Sequence, residues 1–157
     1  IPKERVDLIY YASPMHDIGK IGIPDSILLK PGKLDPEERK IMETHTLIGG
    51  RILGNPESEL IEMSREIALT HHEKWDGSGY PNKLRGEEIP VSGRITALAD
   101  VFDAMSSKRC YKEAFSDEFV LPDIKQQSGL HFEPKIVEIF FDVWDEIKEI
   151  REQYKDL

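Results

Sequence analysis

Asp35-Pro36-Glu37-Glu38-Arg39-Lys40-Ile41-Met42-Glu43-Thr44-His45-Thr46-Leu47-Ile48 is the stretch whose reading decides the fold. Asp35 reads as an N-cap, and Pro36 takes the first helical position, where a missing N–H costs nothing. Glu38 can then close a capping box. Beyond it Ile41, His45, Ile48 and Ile52 recur at steps of four, three and four, the spacing of one helix face. The pattern predicts a single helix through Ile52 that carries His45 on its buried side.

The same period continues on either side. A second helix is predicted from Pro56 to His72, with Leu60, Ser64, Ile67 and His71 on one stripe. On an ideal helix His72 is rotated roughly 100° from His71, so the two imidazoles are expected to diverge, as ligands of two neighbouring metals would. A third helix is predicted to start near Pro90 and to align Ile95, Leu98, Phe102 and Met105, with Asp100 flanking them. The last follows Pro134 and turns Val137, Phe140, Trp144 and Ile147 inward, ending in a solvated, charged tail. Pro14 would break a helix crossing it, so Ser13-Pro14 is read as the N-cap and first position of a new helix presenting His16 and Asp17. Breaker-rich loops occupy 19–32 and 75–90. No strand alternation competes, so the expected fold class is an all-α helical bundle, with residues 1–157 as one domain.

Composition narrows the function classes. With 39% hydrophobic and 32% charged residues the chain has a globular composition, and its apolar runs are too short to cross a bilayer. A net charge of −9 argues against binding a nucleic-acid polymer, which needs a basic footprint. It does not forbid a small anion, because bound divalent cations invert the local field. Cys110 is the only cysteine, which excludes an internal disulfide framework; it reads as filler, and the expected compartment is the cytoplasm.

The five histidines are distributed unusually: His16-Asp17, His45 and His71-His72 stand beside carboxylates or each other, with Asp100 further on. Imidazole and carboxylate hold hard or borderline divalent metals, and a carboxylate can bridge two of them. Read singly, each histidine is more simply a hydrogen-bonded core residue; together they suggest one polynuclear centre drawn from several helices. His131, ahead of Pro134, reads as structural.

His16-Asp17-Ile18-Gly19-Lys20-Ile21-Gly22-Ile23-Pro24, followed by His71-His72-Glu73-Lys74-Trp75-Asp76-Gly77-Ser78-Gly79-Tyr80-Pro81, resembles the HD-GYP branch of the HD phosphohydrolases. The similarity runs on through Asp100-Val101-Phe102-Asp103-Ala104, Arg109-Cys110-Tyr111-Lys112 and Gly129-Leu130-His131-Phe132-Glu133-Pro134, almost the whole chain. The resemblance implies an all-helical, metal-dependent phosphodiesterase that opens cyclic di-GMP, as the output domain of a bacterial signalling protein. It implies metal ligands at His16, Asp17, His45, His71, His72 and Asp100, with Asp17 bridging two divalent ions, iron or manganese. Lys20 corresponds to a lysine near the scissile phosphate, Arg109 and Lys112 to basic residues on substrate phosphates, and Gly79, Tyr80 and Pro81 to the signature loop. This sequence departs from the family at Pro14 and Cys110. Upstream helices, which in some members supply ligands for a third metal, and a sensory domain are expected to precede this chain; the third metal stays open.

Two ions about 3.5–4 Å apart can clamp a phosphodiester and activate water against it, which explains why the chemistry needs this residue set. Lys20 would stabilise charge on the phosphate, and Arg109 would orient it through paired N–H bonds. Plainer readings coexist: Lys20 as a helix-terminal cation, Arg109 and Lys112 as a solvated helix end, and Gly79-Tyr80-Pro81 as a simple turn. Three functions are therefore carried forward. They are cyclic di-GMP hydrolysis, hydrolysis of another cyclic dinucleotide or phosphoester, and a module binding partners such as diguanylate cyclases. A homodimer through upstream helices is also expected.

Overall fold

A computed structural model describes residues 1–55, 57–107 and 115–154. In chain order the helices are α1 (Lys3–Ala12), α2 (Asp25–Leu28), α3 (Pro36–Glu43), α4 (His45–Ile52), α5 (Glu59–Thr70), α6 (Val91–Ser106), α7 (Asp117–Gln126), α8 (Pro134–Asp142) and α9 (Trp144–Gln153). Short 3-10 turns at Ser13–Met15, Ile18–Gly22 and Gly86–Glu88 complete them. Among the described residues the only β pairing is an isolated bridge between Ser128 and Phe132. The all-α architecture is as expected, and no described helix is long and apolar enough to cross a membrane.

Two apolar clusters flank α6. Ile9 and Ala12 of α1 pack on Met63 and Ile67 of α5, with Ile95 of α6 against them. On its other side, Leu98 meets Val120 and Ile124 of α7, Phe132, and Val137 and Phe140 of α8. Phe102, Met105, Trp144 and Ile147 pack around that second cluster, as the apolar stripes of α6 and of the last helices predict.

The capping box at Asp35 forms: its carboxylate accepts from the N–H groups of Glu37 and Glu38, and the Glu38 carboxylate accepts from Asp35 N–H. The single helix expected from there to Ile52 is divided at Thr44. The Thr44 hydroxyl donates back to the Ile41 carbonyl at 2.6 Å, a local bond that competes with the helical ladder. The division also corrects the predicted stripe, because Ile41 is 42% and Ile52 50% exposed while His45 is buried at 1%. The last helix is likewise divided, at Val143.

Pro14 does open a new segment, but as a 3-10 turn whose N-cap is Ala12, and the Ser13 hydroxyl donates to Tyr10 O. α2 lies inside the loop expected over 19–32. α7 contains Pro122 in its interior, a residue that removes one helical hydrogen bond. Complete burial of Val120 and Ile124 offsets that loss.

α7 is also tied to α9 by charge. Arg151 donates to both carboxylate oxygens of Asp117, at 2.6 and 2.8 Å, and its guanidinium lies 5.5 Å from the Trp144 ring. The Arg151 hydrogen bonds hold the Asp117 carboxyl below its usual range. A depressed folded pKa stabilises above the unfolded value, about 3.9, and that contribution is lost as pH falls through the folded value. Both groups are about a third exposed, so Asp117→Asn is expected to cost no more than about 1 kcal/mol at pH 7. Urea unfolding of parent and variant should converge as pH drops below about 4; a gap that persists there would refute this account.

Candidate metal centre

The site forms where α1, α4, α5 and α6 come together. The chain leaves α1 at Ala12, turns through Pro14, and places His16 and Asp17 between two 3-10 turns. His45 is the first residue of α4, His71 follows the end of α5, and Asp100 lies midway along α6.

Three imidazoles are oriented by backbone just upstream in sequence. Nδ1 of His16 lies 2.8 Å from Ser13 O, that of His45 2.7 Å from Met42 O, and that of His71 3.0 Å from Ile67 O. A carbonyl can only accept, so Nδ1 donates and Nε2 is the ring atom left for another partner. Those Nε2 atoms converge on Asp17. His45 Nε2 is 3.4 Å and His71 Nε2 3.8 Å from Asp17 Oδ1, while His16 Nε2 is 3.3 Å from Asp17 Oδ2 and 3.7 Å from Asp100 Oδ1. Oδ1 of Asp17 thus faces His45 and His71, and Oδ2 faces His16.

Asp17 Oδ1, His45 Nε2 and His71 Nε2 are buried without a hydrogen-bond partner. Three orphaned atoms at one point would each cost roughly 1–3 kcal/mol, and together they form the donor set that a divalent cation requires. Asp17, His45, His71 and His72 offer ligand atoms that all lie within 4.8 Å of one another. One expectation is corrected: the His71 and His72 rings do not diverge but sit 4.0 Å apart. The ideal rotation does not apply, because α5 ends at Thr70 and both residues lie in the turn that follows.

The electrostatics separate the histidines. Burial lowers the pKa of His45, that of His71 to about 4 and that of His72 to about 3, so these rings are neutral at pH 7 with lone pairs available. His16 moves the other way, up to about 10, because it hydrogen-bonds Asp100 and Asp17. Burial pushes the Asp17 carboxyl upward, but the hydrogen bonds from His16 and Lys20 outweigh it and hold Asp17 well below the usual carboxylate range. The hydrogen bond with His16 likewise lowers the Asp100 carboxyl against the effect of burial, so both carboxylates are ionised at pH 7.

Lys20 reaches this cluster from the Ile18–Gly22 turn, with Nζ 2.5 Å from Asp17 Oδ2. It does so from a 3-10 turn, with no α-helix running from His16 to Lys20. Tyr80 is half-buried, stacks on His72 with centroids 4.8 Å apart, and donates its N–H to His72 O. Gly79 is required here: a Cβ would come within 2.3 Å of Lys74 N and 2.6 Å of His72 O. Arg109, Lys112 and Cys110 lie outside the described residues. His131 packs as expected of a structural residue, stacked on Phe132, its carbonyl accepting from Trp75 N–H.

Glu73 was not assigned a role from sequence. Its carboxylate is 2% exposed and accepts from the backbone N–H of Asn82 at 2.7 Å and of Leu84 at 3.0 Å. The signal was present: a carboxylate immediately before a glycine- and proline-rich loop, whose backbone donors need acceptors.

The sequence model of the HD domain family matches residues 2–136. The chain is 53% identical to 3′3′-cGAMP-specific phosphodiesterase 2 of Vibrio cholerae, over 99% of this chain and 30% of that protein. It is also 53% identical to a cyclic di-GMP phosphodiesterase of Thermotoga maritima, over 94% of this chain and 40% of that protein. It thus spans well under half the length of either relative. Among solved structures, a cyclic GMP-AMP specific phosphodiesterase of V. cholerae superposes with a TM-score of 0.66 at 20% identity, covering 96% of this chain and 41% of that one. At that identity the likeness speaks to the fold.

Proposed function

Since this chain belongs to the HD domain family, as its HD-GYP sequence series implied, we propose that it is a metal-dependent phosphodiesterase opening cyclic di-GMP to linear pGpG and onward to GMP. The observation that carries this is the meeting of three buried, unpartnered ligand atoms at Asp17, His45 and His71. His16, Asp17, His45, His71, His72 and Asp100 would hold two divalent cations, iron or manganese. Asp17 would be the carboxylate common to the set, with His45 and His71 near its Oδ1 and His16 near its Oδ2. When bound, such ions supply Lewis-acid charge at the phosphate and a water-derived nucleophile at neutral pH.

The chain's own residues do the rest. Neutral His45, His71 and His72 present lone pairs without first losing a proton. The Lys20 ammonium, about 40% exposed on one side and paired with Asp17 on the other, can turn to the phosphate oxygens as charge builds on them. Lys20→Ala is therefore expected to lower kcat about a hundredfold with metal content unchanged. A fall in metal content to match would make Lys20 a support for Asp17 instead. Arg109 and Lys112 are assigned to the substrate phosphates. The setting proposed is an output domain of bacterial signalling in the cytoplasm, beside diguanylate cyclases.

The test is hydrolysis of cyclic di-GMP by purified protein loaded with manganese or iron. Turnover no greater than that of a His16→Ala, Asp17→Ala double variant would end the proposal. A second reading, 3′3′-cGAMP as substrate, is favoured by the name of the V. cholerae relative at 53% identity. Competition between the two dinucleotides separates them. A partner-binding role through the Tyr80 loop without catalysis is less well supported, because the Tyr80 ring is engaged on His72.

A further inference from the structure

Of the four clustered imidazoles, His72 is held differently. His16, His45 and His71 are each fixed by an Nδ1–carbonyl bond, whereas His72 has no such bond among the described residues. Its orientation comes from ring contacts: His71 at 4.0 Å, His45 edge-on at 5.0 Å, and Tyr80 stacked at 4.8 Å and 27°. His71 and His45 are fixed by their own Nδ1 bonds, so Tyr80 is the ring against His72 whose position depends on its loop.

Tyr80 belongs to a loop whose far side closes on Glu73. Asn82, Lys83 and Leu84 all direct backbone N–H groups at the Glu73 carboxylate. Lys83 is the only non-glycine residue with positive φ, +56°, among the described residues. Left-handed backbone is disfavoured for a side-chain-bearing residue, and it gathers successive N–H groups into a concavity suited to an anion. Here the anion is Glu73 itself, adjacent in sequence to His72. Gly79, pressed against Lys74 N and His72 O, closes the near side of the same loop.

We infer that Glu73 is a positioning residue for the metal centre: by gripping the backbone of 82–84 it holds Tyr80 against His72 and so sets the direction of the His72 ring. It touches neither substrate nor metal. The inference rests on the metal-binding part of the proposed function, and its test reads metal affinity with no need for turnover.

Mn²⁺ binding would be measured calorimetrically on metal-stripped parent, Glu73→Ala, Tyr80→Ala, their double variant and His72→Ala. Glu73→Ala and Tyr80→Ala should each weaken the same Mn²⁺ site as His72→Ala, by about 10–100-fold, the usual effect of losing an outer support of a ligand. The double variant should be no weaker than either single, because both changes cut one chain of contacts. Unchanged affinity in Glu73→Ala, or losses that multiply in the double variant, would overturn the inference while leaving the metal centre standing. A parent that binds no Mn²⁺ would overturn the centre and the inference together. If Glu73→Ala fails to fold by circular dichroism, Glu73→Gln takes its place. It keeps the shape but turns one acceptor into a donor facing an N–H, and should shift affinity in the same direction; no shift there would also overturn the inference.

Discussion

Asp17→Ala is expected to reduce cyclic dinucleotide hydrolysis at least about a thousandfold, roughly 4 kcal/mol of barrier, and to leave the purified protein with little bound metal. The expectation follows from position. One Asp17 oxygen lies 3.4 Å from His45 Nε2 and 3.8 Å from His71 Nε2, and the other pairs with Lys20 and lies 3.3 Å from His16 Nε2. The Asp17 carboxylate lies within 4 Å of the Nε2 atoms of three histidines. Removing it takes away a negative charge at the centre of the candidate ligand set and leaves a positively charged His16 with Asp100 as its remaining acidic partner. Asp17→Asn keeps the shape and removes the charge, so it should fail nearly as badly. Activity within tenfold of the parent in either variant, at equal metal content, would mean that the chemistry lies elsewhere.

Gly19→Ala is expected to be the most damaging single methyl in the protein, lowering the melting temperature by about 10 °C or more. The Ile18–Gly22 turn lies directly on α4, and a Cβ at Gly19 would sit 1.9 Å from His45 O and 2.4 Å from Gly49 N. Both are backbone atoms of a helix and cannot rotate away. Relief requires the turn and α4 to separate, which would also draw His45 away from Asp17, so stability and metal affinity should fall together. Gly22→Ala is the control, since its Cβ would meet only the Ile48 side chain, at 3.0 Å. A Gly19→Ala protein that melts within about 2 °C of the parent would show that the turn and helix are not in fixed contact.

Helix periodicity located α5 and α6 because their apolar stripes are long, although α5 proved shorter than expected, starting at Glu59 after the Ser58 cap and ending at Thr70. It failed at Thr44 and Val143, where the apolar pattern runs on while the backbone bends. It also passed over α7, since Pro122 argues against a helix unless one knows that Val120 and Ile124 fall into a core made by α6 and α8. The candidate ligands were legible as a set because so many imidazoles and carboxylates have no purpose in an apolar interior. Their relative directions were not. His71 and His72 were placed on an ideal helix, and the helix stops one residue before them.

Residue types and their spacing were enough, without coordinates, to predict that this chain is helical and to single out His16, Asp17, His45, His71, His72 and Asp100 as its candidate ligands. Those features depend on neighbours three or four positions apart and on chemistry that each side chain carries with it. Only the tertiary structure decided that both Asp17 oxygens would be flanked by histidines from different elements, that Lys20 would reach Asp17 from a 3-10 turn, and that a buried Glu73 would hold the Tyr80 loop over His72. These are contacts between segments distant in sequence or across a broken helix, set by how closely backbones can pack at Gly19 and Gly79, and no local pattern encodes such distances.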